Sequence, residues 1–287
     1  MTAIAYKAFT KDLTCREFRY EVGATYKHEG KVVRCASGGF HSCELSLDVL
    51  SYYPPIGSRF AEVEVGGDID RANDDTKIAS AEITIKAELR MPDLIAAAVR
   101  WVMGRVAATT GYGAHAATTG YGAHAATTGV GAHAATNGVR AHAATTGDDA
   151  HAATTGVRAH AATTGVRAHA ATTGYGAHAA TTGVRAHAAT TGYGAHAATT
   201  GDDAHAATTG VRAHAATTGG GAVAASLGPR GQATAGADGA IVCCEYDSDR
   251  KLIGIKAAMV GTCGIEKDTW YRLEGGEFVA CENGGAA

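Results

Sequence analysis

From Ala107 onward the chain repeats a nine-residue pattern of small and polar residues, Ala-Ala-Thr-Thr-Gly-x-x-Ala-His. Over Ala-His-Ala-Ala-Thr-Thr the side chains fall into two alternating sets, the period of a strand, and Gly with the two variable positions marks a turn. Nine residues make 2.5 helical turns, so no helical face stays aligned, and a Gly and two Thr per unit weaken a helix further. Disorder is the competing reading, because the segment lacks bulky apolar residues. The better fit is a β-solenoid. One unit is too short to circle a core, so two units are expected to form an 18-residue coil. Counting worn units as far as Gln232 gives 14 units, or seven coils, stacked to roughly 30 Å at the usual strand spacing.

Alternation divides each strand into an Ala, Ala, Thr set (Ala141, Ala143, Thr145) and a His, Ala, Thr set (His142, Ala144, Thr146). A thin two-walled solenoid has room only for small interior side chains, so the first set is expected inside. The histidines then face solvent as two columns of six: His115, His133, His151, His169, His187 and His205 in one, His124, His142, His160, His178, His196 and His214 in the other. The rival packing buries the imidazoles and must satisfy their ring nitrogens. The variable corner residues include Tyr112, Tyr121, Arg140, Asp148, Asp149, Arg158, Arg167, Tyr175, Arg185, Tyr193, Asp202, Asp203 and Arg212. Such variation suits a solvent-facing corner and makes these residues the candidates for partner binding. Stacking at 18 residues places Asp149 over Arg167 and Arg185 over Asp203.

The flanks read differently. Phe60–Val65 and Lys77–Leu89 alternate as strands. Ser46–Tyr53 reads as a short helix capped by Ser46 and stopped by Pro54-Pro55, with turns at Gly66-Gly67-Asp68 and Asn73-Asp74-Asp75. Pro92–Met103 reads as a helix, apolar on most faces, expected to cover the first coil. After the repeats, Gly239–Tyr246, Leu252–Ala257, Thr269–Leu273 and Glu277–Cys281 read as strands. The expected organisation is an α+β domain over 1–90, a capping helix over 91–106, a mainly β nonapeptide solenoid over 107–232, and a small β-meander cap over 233–287.

Composition sharpens this division. Residues 107–219 hold five Arg, four Asp and neither Lys nor Glu, while most of the chain's charge lies in the flanks. Net charge is −3, which argues against a global grip on nucleic acid. No run of 18 apolar residues suggests a membrane span, and Met1–Lys11 has no apolar stretch of a secretory signal, so a cytoplasmic setting is expected. Seven cysteines then read as reduced thiols. Cys15, Cys35, His41 and Cys43 are a conceivable zinc set, though their spacing fits no common pair. The His columns are a second metal candidate, and the Thr columns suggest ice binding, weakened because adjacent Thr-Thr sends only one hydroxyl outward. No phosphate-binding loop, dinucleotide fingerprint or hydrolase motif is present, so no cofactor and no catalytic residue is assigned.

The segments KAFTKDLTCREFRYEVGATYKHEG, CASGGFHSCELSLDVLSYYPP and SRFAEVEVGGDI, within about the first 90 residues, resemble an uncharacterised domain common in phage and prophage proteins. The resemblance implies a bacterial host cell and a domain that often precedes repeats, and it brings no activity with it. The functional expectation is a structural or binding module that presents its repeat surface to an unidentified protein partner or to another copy of itself. The alternatives are an enzyme or effector activity in residues 1–90 with the solenoid as spacer, metal binding by the His columns, and ice binding.

Overall fold

A computed structural model describes residues 2–16, 18–34, 38–55, 57–71, 76–104 and 109–281. The chain divides into two compact units, Met1–Ala98 and Val99–Gly284.

In the N-terminal unit, β1 (Ala3–Phe9), the two-residue strands β2 (Thr14–Cys15) and β3 (Phe18–Arg19), β4 (Thr25–Lys27) and β5 (Phe40–Cys43) precede two long strands, β6 (Arg59–Asp70) and β7 (Lys77–Leu89). The sheet order is β4-β7-β5-β1-β6, and β6 also pairs with β7, closing β7, β5, β1 and β6 into a ring. The alternating residues of β1, β6 and β7 account for the core: Ala5, Phe9, Val63, Val65, Ile83 and Ile85 are all fully buried. Gly66-Gly67-Asp68 is not a turn. It lies inside β6, where the register slips between Gly66 and Ile69, and Gly67 takes φ +69°, so the glycines serve a bulge that bends a long strand. Asn73-Asp74-Asp75 falls outside the described residues.

Ser46–Ser51 forms a 3-10 helix, and Ser46 is not its cap. Its hydroxyl instead donates to the carbonyl of Leu94, 2.6 Å away in the first turns of α1 (Met91–Met103). The α-helix forms where Pro92 and Asp93 open it and an apolar run follows. Trp101, in its last turn, belongs to the second unit, where its ring meets His124 at 5.3 Å and His142 at 6.1 Å. The junction at 105–108 lies outside the described residues.

The second unit is a β-solenoid of 18-residue coils. Each nonapeptide gives one strand of four or five residues beginning at its histidine, and successive strands alternate between two sheets. Within a sheet the strands are parallel and in register, His142 opposite His160 and Thr146 opposite Thr164. Each sheet holds eight parallel strands, one coil more than the motif count predicts. The two additional strands are Thr109–Thr110 at the start, which pairs parallel with His124–Thr128, and Ala240–Tyr246 at the end, which lacks the motif yet pairs parallel with Val223–Ser226 in a 17-residue step (Val223 opposite Ala240). The expected separate meander is therefore redistributed. Leu252–Met259 pairs antiparallel with that last rung, while Tyr271–Glu274 pairs with Gln232–Thr234 in the other sheet and Glu277–Ala280 pairs with Tyr271–Glu274. Ile241, Cys243, Ile265, Tyr271 and Leu273 replace alanine inside and close the end with bulk.

Inside the coils the Ala, Ala, Thr set is buried as expected: Ala141 and Thr145 are fully buried and Ala143 is 2% exposed. Small side chains let the two walls approach closely, so cohesion comes chiefly from the backbone ladder, which runs on through the corners. Gly147 N–H donates to Thr164 O and Asp149 N–H to Val166 O, both at 2.9 Å.

Two glycine-type positions in each unit do different work. The repeat glycine, for example Gly174 at φ +150°, has no room for a side chain, because a Cβ would lie 2.0 Å from the carbonyl oxygen of Gly156 one coil earlier. The second corner position takes the left-handed conformation whatever its identity: Gly176 at +59°, Arg158 at +53°, Asp149 at +54°.

The 18-residue stacking also pairs charges. Arg167 meets Asp149 at 2.7 Å and Arg185 meets Asp203 at 3.9 Å. Both pairs are well exposed, so a double-mutant cycle on Arg167 and Asp149 should return no more than about 1 kcal/mol, falling as salt is added.

Candidate functional site

The two histidine columns are chemically identical in sequence and sit in different environments. The column from His115 to His205 lies on a sheet whose outer face is open: strands such as His151–Thr155 alternate exposed and buried positions without interruption. His133 and His151 stack with centroids 4.7 Å apart and planes 3° apart. The column from His124 to His214 also points away from the interior, yet His142, His160, His178 and His214 are buried, as are Ala144, Ala162 and Ala180 beside them. The expectation of two solvent-facing columns therefore holds for one sheet and not for the other. His160 and His178 stack at 4.8 Å, and Trp270 meets His214 at 5.3 Å. Burial, and then the neighbouring imidazoles, hold His178 and His196 well below the ordinary histidine pKa, and burial brings His214 to about 4. In the open column His133, His169 and His187 are lowered too, again with burial as the first cause and adjacent histidines as the second.

The open column is a poor preformed metal site. Its stacked rings are 4.7 to 4.9 Å apart between His115 and His187. Two metal–nitrogen bonds together span only about 4.2 Å, even when opposed, so one ion cannot bridge parallel rings without tilting them. The outward threonines form one rank on this sheet, Thr155, Thr173 and Thr191, while Thr154, Thr172 and Thr190 point inward. The candidate corner residues reach the surface, although Arg140 is half-buried with Nη1 enclosed. Tyr112, Tyr121, Tyr175 and Tyr193 are 90%, 61%, 56% and 41% exposed, and the last two stack at 5.3 Å. The carboxylates of Asp148 and Asp202 are turned back to accept from the backbone N–H groups of Val166 and Gly220.

The strongest concentration of chemistry lies in the N-terminal unit, where the sequence carries only a faint signal. A cavity of about 490 Å³ is lined by Tyr6, Lys7, Ala8, Cys15, Arg16, Phe18, Tyr20, Lys27, His28, Gly39, Phe40, His41, Ser42, Cys43, Val49, Tyr52, Tyr53 and Lys77. Strands β1 and β5 supply its floor, paired through Tyr6 and Cys43. The β2–β3 turn brings up Cys15, Arg16 and Phe18, and Phe18 stacks edgewise on Tyr20 at 4.7 Å. Phe18 and Tyr52 are 44% and 40% exposed, so the cavity reaches solvent.

Lys7 lies on the face of β1 that also carries Ala5 and Phe9, and it is only 5% exposed. Its Nζ donates to the carbonyl of His41 at 2.7 Å, lies 3.6 Å from Cys15 Sγ, and sits 5.2 Å from the centre of the Tyr20 ring. Burial pulls the Lys7 pKa down, only partly opposed by Cys15 and Cys43. Burial, with a smaller push from Lys77, Lys7 and Arg16, drives His41 to about 4, and burial raises the Tyr20 and Tyr53 hydroxyls. His41 Nε2 and Ser42 Oγ are buried without a hydrogen-bond partner among the described residues. No Asp or Glu is among the lining residues described.

Cys15, His41 and Cys43 of the conceivable zinc set thus share one cavity, and Cys35 lies outside the described residues. Among the described residues of this unit, no three potential ligand atoms from His, Cys, Asp or Glu converge closely enough to hold an ion. The other thiols differ sharply in access. Burial raises Cys243 to about 12, whereas Cys263 is exposed. Iodoacetamide on the native chain should label Cys263 first and Cys243 only after unfolding, as peptide mapping would show.

The fold and these sites define a β-solenoid repeat protein with a separate N-terminal domain. Residues 3–97 match the model of a domain of unknown function (DUF7666). No curated protein and no solved structure matches the chain. No helix among the described residues is long and apolar enough to cross a membrane.

Proposed function

We propose that this chain is a ligand-binding protein whose N-terminal domain holds a small anionic molecule with a flat, aromatic or unsaturated body. One observation carries the reading. Lys7 is buried against a cavity whose described walls supply Arg16 and Lys77 but no carboxylate, while Lys27, also on the wall, is paired with Glu82 at 2.8 Å. An ammonium buried with no carboxylate beside it is expensive, so burial favours the free amine, and an anionic ligand is drawn by Arg16 and Lys77 with the Lys7 N–H groups as donors. The aromatic walls, Phe18, Tyr20, Phe40 and Tyr52, suit a planar body, and Ser42 and His41 offer polar atoms to orient it.

Calorimetric titration of the full chain with 4-nitrophenyl phosphate, and with inorganic phosphate and benzoate as separate arms, tests this. Saturable binding of an aromatic anion, weakened tenfold or more by Lys7→Met, is the expected result. The absence of saturable binding in every arm would sink it.

A second reading has its own observation, the unbroken outer face of the sheet that carries His115 to His205. Repeat stacks commonly present such a face to a partner. In this reading the solenoid binds a protein or a second copy, and the corner tyrosines and Arg/Asp pairs tune the contact. Removing residues 107–232 should abolish partner capture, and capture by the remaining ends would overturn it. A phage or prophage setting rests on the N-terminal resemblance. The genes flanking this one are the direct check, with structural or lysis genes of a phage as the expected neighbours.

A further inference from the structure

We propose that Lys7 is a carbonyl-capturing amine, forming a reversible imine with an aldehyde or ketone that carries the anionic group. The inference deepens the ligand-binding reading and rests on it. Its basis is the geometry around Nζ. As a neutral amine Lys7 has two N–H bonds and one lone pair. The carbonyl of His41 takes one N–H at 2.7 Å, and Cys15 Sγ, at 3.6 Å, stands where it can take the other weakly. With both contacts made through N–H, the lone pair is left for a ligand in the cavity whose wall Lys7 helps to form. Among the described residues its electrostatic neighbours are Cys15, Cys43 and Arg16, with no carboxylate, and the two thiols oppose burial only in part, so the balance moves toward the free amine.

An apolar, cation-flanked pocket activates a lysine in this way, because the charged form loses its hydration and finds no counter-charge. The step balances without an oxidant or reductant. The Nζ lone pair bonds to the carbonyl carbon, and the carbonyl oxygen takes up both amine protons and leaves as water while the C=N bond forms. Hydrolysis reverses it. Tyr20, whose ring centre lies 5.2 Å from Nζ and whose hydroxyl burial keeps protonated, is a candidate to pass a proton to the departing oxygen. Arg16 and Lys77, on the cavity wall, are the cations that would meet the anionic group.

The test uses the full chain with limiting pyridoxal 5′-phosphate, an aromatic aldehyde carrying a phosphate, trapped with cyanoborohydride and mapped by peptide mass spectrometry. The expected result is a dominant adduct on Lys7, formed at least tenfold faster than on any other lysine, suppressed by excess 4-nitrophenyl phosphate and lost in Lys7→Arg. Labelling spread over exposed lysines such as Lys11, Lys31 and Lys251, with Lys7 no faster than they are, would overturn it. The wild-type map alone decides the matter should Lys7→Arg fail to fold. If 4-nitrophenyl phosphate binds but Lys7 is not labelled, the imine is wrong and the anion pocket stands. If it does not bind either, both fail.

Discussion

Lowering the pH from 7 to 5 should unfold the solenoid cooperatively, and the buried histidine column should account for most of the loss. His178 and His196 are held well below the ordinary histidine pKa and His214 is brought to about 4, all by burial first. The unfolded chain takes up protons on these rings near pH 6.5, whereas the folded chain refuses them. Stability is therefore complete above about pH 6.5 and falls as the pH drops from there toward about 4. Each such histidine costs about 1.4 kcal/mol per pH unit within that window, so the three together cost about 4 kcal/mol per unit. Most domains are stable by only 5–15 kcal/mol, so a transition at mildly acid pH follows. Urea melts at pH 7.5, 6.0 and 5.0 measure it. Replacing His178 and His196 by glutamine should flatten the pH slope whatever it does at neutral pH. A slope unchanged by those substitutions would mean that other groups carry the acid sensitivity.

The second large effect is at the repeat glycine. Gly174→Ala should destabilise the solenoid by about 3–5 kcal/mol, the far end of the range for a single substitution. The added methyl would press on the Gly156 carbonyl at 2.0 Å, and the neighbour that must yield is itself part of the ladder. Gly176→Ala, two residues on, should cost only about 1 kcal/mol. There the nearest atom is the Arg158 Cγ at 3.7 Å, and other units already place Arg or Asp in the same left-handed conformation. Equal losses at the two positions in chemical melts would refute this division of labour.

The repeat was legible because each of its constraints is local. Period two named the strand, the Gly-x-x corner named the turn, and the small inward residues named the wall spacing. The 18-residue coil even placed Arg167 on Asp149. What escaped depends on groups far apart in sequence. His151 and His160 sit in identical nonapeptides, so nothing local says that one ring is exposed and the other buried. Ala240–Tyr246 escaped as a coil because it keeps the strand and abandons the motif, with Ile241 and Cys243 in place of alanine.

In the N-terminal domain the strands and the helix could be read from alternation and apolar runs, whereas the cavity could not. Its lining comes from β1, the β2–β3 turn, β5, the 3-10 helix and the start of β7. One signal was available. In Ala3-Ile4-Ala5-Tyr6-Lys7-Ala8-Phe9 the lysine falls on the same side as Ala5 and Phe9, and a lysine aimed at a core is worth asking about.

Two units per coil give the gene a parity rule. Gain or loss of one nonapeptide, the natural slip between near-identical DNA repeats, would pass every later strand to the opposite sheet and turn the closing strands by half a coil. Gain or loss of two would only lengthen or shorten the stack, keeping each histidine in its own column. Length variants of this chain should therefore differ by multiples of 18 residues, and the coil, although the motif hides it, is the unit on which selection can act.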